Sequence, residues 1–405
     1  MFRVIMKLAW ASLSRRRGRS LLVISMIAVC LWGLLSLEGL YDGMIAQMIQ
    51  NATRSDSGDI SIFAKGYRQN NELAELVDSA ALDKFLKNDG RILSFSKRIM
   101  QSGLVATAHY ARNITIYGID LTEEQKNGRL NNYIVSGEYS FANRSKGAII
   151  GAELASKLSA KIGSKIIISA QNMVNEVSSS ALKITGILKT HTVLDKNAVF
   201  IDRQKTRDLL MVPRGITQVL VTLKNRNKDI AVIQGDLAGI DGLEVWRWDE
   251  IYPALLQSKQ MNEKFNLIIS FLVFCVAGLG IFGVMSVSVL ERMREFGIML
   301  ALGTKFSQIG SIIMLEAFLM AIMGFGTGSV FGGATLYYLK QYGLNLAIFS
   351  KGLEAFGMDS VMRAVIRPQY FFLALAAVML AAFVSALLPL RFLQRAKPVS
   401  LIQTI

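Results

Sequence analysis

The sequence predicts an α-helical membrane protein with four transmembrane helices and a large extracytoplasmic α+β domain inserted between helices one and two. Three observations predict it. Apolar stretches run from Leu21 to Leu37, Phe265 to Leu290, about Phe306 to Leu339, and Gln369 to Leu390. A spanning helix needs about 20 largely apolar residues, since a helix satisfies its own backbone in lipid. No such stretch lies between the first and second, where residues 43–258 are long enough for a domain with its own core. Basic residues also flank the stretches on one side. Arg3, Lys7, Arg15, Arg16, Arg17 and Arg19 precede the first, Arg292, Arg294 and Lys305 lie between the second and third, and Arg391, Arg395 and Lys397 follow the last. By the positive-inside rule both termini are cytoplasmic and the insert is outside. Lys340, Lys351, Arg363 and Arg367 in the outer loop run against this, offset in part by Glu354 and Asp359.

Each element follows from its local pattern. Residues 1–20 read as a cytoplasmic amphipathic helix: Phe2, Ile5, Met6, Ala9, Trp10 and Leu13 share a face opposite Arg3 and Lys7. Residues 21–42 form transmembrane helix one, read as an uncleaved anchor because no small-x-small cleavage pattern follows it. Its helical period continues through Tyr41, Met44, Ile45, Met48 and Ile49. Residues 43–258 are the outer domain. A second helix starts at Trp248, with Asp249 as its N-cap, and runs through Lys264 into helix two, so the insert rides on a two-helix stalk. Such a stalk carries motion or merely anchors the domain; both readings stand. Helix two occupies 259–290, a cytoplasmic segment 291–305, helix three 306–339, an outer loop 340–368, helix four 369–391 and a cytoplasmic tail 392–405.

Within the outer domain, strands are predicted at 58–63, 114–117, 148–150, 165–169, 182–188, 198–201, 216–223 and 243–248. Helices are predicted at 152–160, 228–238, and after the N-cap Asp202 as far as Met211. The last stretch reads β-α-β-α-β, half of a ferredoxin-like unit.

Composition narrows the function classes. The formal charge is +15, but its placement beside apolar stretches assigns it to topology rather than nucleic-acid binding. Two cysteines, Cys30 and Cys275, both fall in predicted spans, so the outer domain has no disulfide framework. Two histidines sit in no ligand or nucleophile pattern. The glycine-rich run Gly324–Gly333 lacks the Lys-Ser/Thr ending of a phosphate loop; Gly328 and Gly332 in GxxxG spacing read as helix packing, as do Gly278, Gly280 and Gly283. Glu123 and Glu124 read as a solvated turn. Glu316, inside the third apolar stretch, reads as a structural carboxylate, snorkelling or arginine-paired, or as a proton relay. No catalytic or metal-binding residue is predicted, and the chain is read as no enzyme.

The segment Glu291-Arg-Met-Arg-Glu-Phe-Gly-Ile-Met-Leu-Ala-Leu-Gly-Thr304 is short and amphipathic. Arg292, Arg294 and Glu295 face water or a partner, Phe296, Ile298, Met299 and Leu300 suit a partner's groove, and Gly303 ends the piece. This segment resembles the cytoplasmic loop of the FtsX/MacB-like ABC-transporter permeases, with Phe296 where isoleucine is usual. Gly147–Gly163, Tyr117-Gly-Ile-Asp120 and the tail Ala396–Ile402 are similar to that superfamily too. A free-standing permease with an insert of this size looks most like the lipoprotein-releasing LolC/LolE branch, as do Asp42-Gly-Met, Gln47–Asn51 and Trp248–Pro253.

The resemblance implies a mechanical device in the bacterial inner membrane. A separate ATPase dimer would bind ATP and Mg and press on Arg292, Arg294, Glu295, Phe296, Ile298, Leu300 and Gly303. Two permease units, identical or paralogous, would close and expel a lipoprotein or other amphiphile toward a periplasmic chaperone. Leu40, Met44, Met48, Phe265 and Ile268 would line the cargo cavity, or else be ordinary helix packing. Pro213 and Arg214 would touch the chaperone, or else form a plain helix-to-strand turn. Two alternatives remain: a permease of a tripartite exporter of small amphiphiles or peptides, and a regulatory scaffold that activates a periplasmic enzyme.

Overall fold

The computed structural model describes residues 2–15, 17–70, 73, 76, 77, 80–127, 130–141, 146–349, 352, 353, 358 and 360–395. The tail 396–402, with its motif, lies outside the described residues, as do Glu354 and Asp359 of the outer loop. The chain divides into two compact units. One comprises 1–45, 258–347 and 361–405; the other comprises 46–257 and 348–360.

The first unit is helical. Helices α1 (Phe2–Arg15) and α2 (Arg17–Ala52) open the chain. Among the described residues, four helices are long and apolar enough to cross a membrane: α2 with the turn that extends it, and three later ones at Pro253–Glu291, Phe306–Tyr342 and Pro368–Arg391. Val23 and Ile27 pack with Ala277, Ile281, Phe296, Ile313, Ala317, Met320, Val378 and Ala382 in one buried cluster. Ala9 and Leu13 of α1 are buried while Trp10 is exposed, so the predicted single apolar face of α1 is divided. The side chains of Phe2 and Ile5 lie outside those described.

The glycine reading for the third span holds. A Cβ on Gly324 would lie 2.8 Å from Ile27, one on Gly328 2.9 Å from the Ala28 carbonyl oxygen, and one on Gly332 3.0 Å from Leu35. Glycine lets the two backbones approach along this seam. Gly278 and Gly280 also approach side chains, of Ser385 and Met26, whereas Gly283 meets nothing within 4 Å.

The second unit is α+β. The end of α2 widens into a π-helical turn, Thr53–Ser57. There follow β1 (Ile60–Ala64), α3 (Tyr67–Asn70), α4 (Ala80–Asn88), β2 (Ile92–Ala106), β3 (Ala111–Ile119), α5 (Leu121–Asn127) and β4 (Ile134–Gly137). Then come β5 (Gly147–Gly151), α6 (Ala152–Lys157), β6 (Lys165–Gln171), β7 (Val177–Leu188), α7 (Leu194–Asn197), β8 (Ala198–Asp202) and α8 (Arg203–Leu210). β9 (Gln218–Leu223), α9 (Arg226–Ala238), β10 (Leu243–Arg247) and α10 (Trp248–Ile251) close the unit. Asp202 caps α8 as predicted, its Oδ1 accepting from the Lys205 N–H at 3.1 Å, and Met211 ends it with φ 56°.

Among the described residues, ten strands form one sheet, with the main path β10-β1-β9-β2-β3-β8-β5-β7-β4 and β6 joined to β2 and β7. β10, β1, β9 and β2 pair antiparallel throughout. In chain order these are strands one, two, three and four of a βαββαβ unit arranged 4-1-3-2, the ferredoxin-like topology. The predicted half-unit at β8–β10 is thereby corrected: β8 pairs with β3 and β5, not with β9. The true unit is discontinuous, with everything from β3 to α8 inserted between its second and third strands. β2 joins the two parts, pairing with β9 through Arg98 and with β3 from Ile99 onward.

The predicted cap at Asp249 is corrected as well. Arg247 holds that position, and the helix breaks at Tyr252 before α11 (Pro253–Glu291) begins. Proline is favoured at a first helical position, where its missing N–H costs nothing. The remaining helices are α12 (Met293–Ala301), α13 (Phe306–Tyr342) and α14 (Pro368–Arg395), with a two-stranded ladder of β11 (Leu344–Asn345) and β12 (Val361–Met362) between the last two.

Candidate functional site

Two sites carry the organised chemistry, one in each unit. In the helical unit it is α12. Its exposed positions are Arg294, Glu295, Ile298 and Ala301, and Glu291 at the end of α11 and Leu302 just past α12 are exposed at the same helical spacing. The exposed face is charged at its start and apolar at its end, where Ile298 and Leu302 stand 48% and 81% exposed. Gly303 terminates it with φ 90°, while the Thr304 N–H bonds to the Met299 carbonyl at 3.0 Å.

The opposite side of α12 is an anchor. Phe296 is fully buried in the helical core and Leu300 packs against it. Arg292 turns inward too: its guanidinium lies 4.9 Å from the Phe296 ring centre and 3.3 Å from a Glu316 oxygen. The expectation that Arg292, Phe296 and Leu300 face a partner is corrected, because an aromatic ring and a charged pair here fill space beneath the helix. Arg294, Glu295, Ile298 and Gly303 are exposed, and so are Glu291 and Leu302, which lie in the expected segment but were not singled out from the sequence. Glu316 is paired with arginine, one of its two expected readings.

In the sheet unit, the site is where the end of α2 meets the ferredoxin-like strands. Arg98 is fully buried on β2. Its Nε and Nη2 donate to the two Glu124 oxygens at 2.6 and 2.8 Å, and Nη2 also donates to the Ser55 carbonyl at 2.9 Å. Nη1 donates to the Asp56 carbonyl at 3.3 Å. Ser96 donates to Glu124 at 3.0 Å, and the Tyr117 ring lies 5.8 Å from the guanidinium. Burial opposes the charge on Arg98, but the Glu124 carboxylate outweighs it and raises the pKa overall. Both side chains are closed off from solvent.

Tyr252, between α10 and α11, donates its hydroxyl to the Asp56 carboxylate. Burial, then that carboxylate, holds the phenol well above its ordinary range, so it stays a donor. Arg226 at the start of α9 donates to Thr53 at 2.8 Å and pairs with the buried Asp59. The turn 53–57 is thus gripped from β2, α9 and the residue before α11, while Glu124 of α5 holds the β2 arginine. The reading of Glu123 and Glu124 as a solvated turn is corrected: Glu124 is fully buried, and Glu123 pairs with Arg203 at 2.7 Å. Local composition hides this, since a polar stretch carries no mark of a distant arginine.

The other predicted positions are not gathered into a site. Phe265 and Ile268 are exposed on α11, while Leu40 and Met44 are half-buried on α2. Met48, half-buried, belongs to the other unit. A cavity of about 30 Å³ in the helical unit is lined instead by Leu31, Glu38, Ser270, Phe274, Tyr370 and Leu373, among others. Pro213 and Arg214 are exposed in the turn between α8 and β9, which Arg207 holds through the Gly215 carbonyl at 3.0 Å. Among the described residues, no cluster of His, Cys, Asp or Glu is arranged to hold a metal.

Comparison with known proteins decides the family. Residues 20–237 match the MacB-like periplasmic core domain, over half of the chain, and residues 267–398 match the FtsX-like permease C-terminal domain. The chain belongs to the FtsX/MacB-like permease family. The matched order of domains fits the two units, a sheet domain followed by the apolar helices. The macrolide export ATP-binding/permease protein MacB of Escherichia coli O157:H7 is 30% identical over 101 residues, 25% of this chain and 15% of that protein. MacB of Escherichia coli (strain K12) gives the same identity and the same shares. The chain thus matches only 15% of the length of these curated relatives. The periplasmic region of MacB from Actinobacillus actinomycetemcomitans superposes with a TM-score of 0.34 at 13% identity, covering 48% of this chain and 91% of that one. The extracellular domain of the noncanonic ABC-type transporter YknZ from Gram-positive bacteria gives 0.32 at 14%, covering 46% and 99%.

Proposed function

We propose that this chain is the permease subunit of an ABC transporter in a bacterial inner membrane. A separate ATPase dimer binds ATP and Mg and pushes on α12, and the resulting motion of the outer domain releases lipoproteins toward a periplasmic chaperone. The observation that carries the reading is α12 itself. It is a short helix between two apolar spans, bolted beneath by Phe296 and Arg292 and presenting Ile298 and Leu302 outward. A force receiver needs this combination: a face for the partner and a rigid root that passes the load to the bundle. The grip of Arg98, Arg226 and Tyr252 on residues 53–57 supports the outer end of the same path. On this reading both termini are cytoplasmic, a second permease copy or paralogue completes the complex, and this chain hydrolyses nothing.

A second reading is export of small amphiphiles or peptides through a tripartite complex. The names of the curated relatives, macrolide export proteins, favour it. One experiment separates the two. The chain is co-expressed with a Walker-motif ATPase and reconstituted in vesicles with either an acylated protein or a macrolide. ATP-driven release of the acylated protein, abolished by Leu302→Asp with the fold intact, supports lipoprotein release. Nucleotide-driven movement of the macrolide alone overturns it in favour of export.

A further inference from the structure

Two carboxylates stand one helical turn apart on α2, and their surroundings differ. Asp42 is neutralised: Arg367 Nε lies 2.9 Å from its Oδ2, and the Tyr370 hydroxyl donates to the same atom at 2.7 Å. Glu38 is only 3% exposed, and its Oε1 accepts from Ser270 Oγ at 3.2 Å. Among the described residues no cation pairs with it. A lone carboxylate among apolar helices is costly, and such groups are kept where they bind something.

The space beside Glu38 shows what would fit. It is the cavity between α2, α11 and α14, about 30 Å³, walled by Leu34, Phe274 and Leu373 in addition to Glu38 and Ser270. That volume holds a group of about the size of one water or one ammonium. Leu373 is 61% exposed, and Phe271, one turn away on α11, is 60% exposed, so the apolar walls continue outward. The arrangement has one carboxyl group, the hydroxyl-bearing side chains of Ser270 and Tyr370, and an apolar exit.

We propose that the Glu38 pocket binds the ammonium headgroup of an amphiphile, with Glu38 and Ser270 as its acceptors and the alkyl chain lying over Leu34, Phe274 and Leu373. The site takes a primary amine on a lipid-like chain and discriminates against a neutral headgroup. It does not depend on which cargo the transporter moves, because it lies within one chain and needs no ATPase. A protein with a net charge of +15 repels cations overall, so amine selectivity would have to come from this pocket.

The test uses the full chain in phosphatidylcholine vesicles, with spin-labelled octadecylamine or spin-labelled octadecanol as the probe. Electron paramagnetic resonance reads the motionally restricted fraction of each. The amine is expected to be held about tenfold more strongly, the worth of one charge-assisted hydrogen bond. Glu38→Gln abolishes the preference, while Glu38→Asp and Ser270→Ala weaken it and give the same reading if the first variant misfolds. Competition by added phosphatidylethanolamine assigns the site to a bilayer headgroup, and lack of competition assigns it to single-chain amines. Equal restriction of amine and alcohol overturns the proposal, as does an amine preference that survives both Glu38 substitutions.

Discussion

Arg98 and Glu124 illustrate how a buried charge makes a junction specific. Both are fully buried, and the fork of Arg98 is shared between Glu124 and the carbonyls of Ser55 and Asp56. Removing one partner leaves the other charged in a dry site, at a cost of about 3–5 kcal/mol. Arg98→Met should therefore lower the urea midpoint of the outer unit sharply in detergent-solubilised chain, followed by pulse proteolysis. Arg98→Met with Glu124→Leu should recover much of the loss, since it leaves no orphaned charge. Tyr67 gives a pH prediction. Its hydroxyl donates to the Met100 carbonyl at 2.6 Å, and burial pushes its pKa from 10.0 to about 12. Between these values the unfolded chain releases the proton while the folded chain keeps it, so stability falls as pH rises from 10 toward 12. Tyr67→Phe should flatten that fall when urea midpoints at pH 9 and pH 11 are compared. None of this was readable in the sequence. Glu124 lies in a polar stretch, Arg98 follows Ser96 and Lys97, and their pairing joins a strand to a helix across 26 positions.

At the scale of elements, patterns with a local cause were legible. The cap Asp202, the turn at Gly303, the small-residue seam on α13 and most strands of the outer domain depend on neighbours in sequence or on helical period. β2 was missed because its alternation is broken by buried Ser96 and Arg98, which imitate a solvated stretch. The seam on α13 makes a firm prediction. Gly328→Leu forces apart α2 and α13, since even a Cβ would sit 2.9 Å from the Ala28 carbonyl and 3.0 Å from Leu31. Thermal stability of the purified protein should drop by several degrees, as overpacking costs about 1–3 kcal/mol. Gly333→Ala, where nothing lies within 4 Å, should leave it unchanged. The two faces of α12 separate in the same way. Its helix and its terminating glycine were visible, but which residues face inward was decided by the bundle beneath it.

At the scale of the whole molecule, the outer unit is assembled from distant pieces. β1 lies between β10 and β9, and β9 pairs in turn with β2. Amide hydrogen exchange should show Ile60–Ala64 and Gln218–Leu223 opening together, with β10, at the end of the sheet, exchanging sooner. Independent exchange of β1 and β9 would contradict a single ferredoxin-like unit. The sequence by itself determined the four apolar helices, the place of the insert, the family motifs and the short helix between two spans. Each rests on residue type or on a period of a few positions. Only the tertiary structure decided the strand order 4-1-3-2, the burial of Phe296 and Arg292, and the pairing of Arg98 with Glu124. It likewise set Glu38 on the wall of a cavity while Asp42 found its arginine. Those outcomes depend on which distant segments become neighbours, and strand pairing and charge compensation across such separations leave no local trace in the chain.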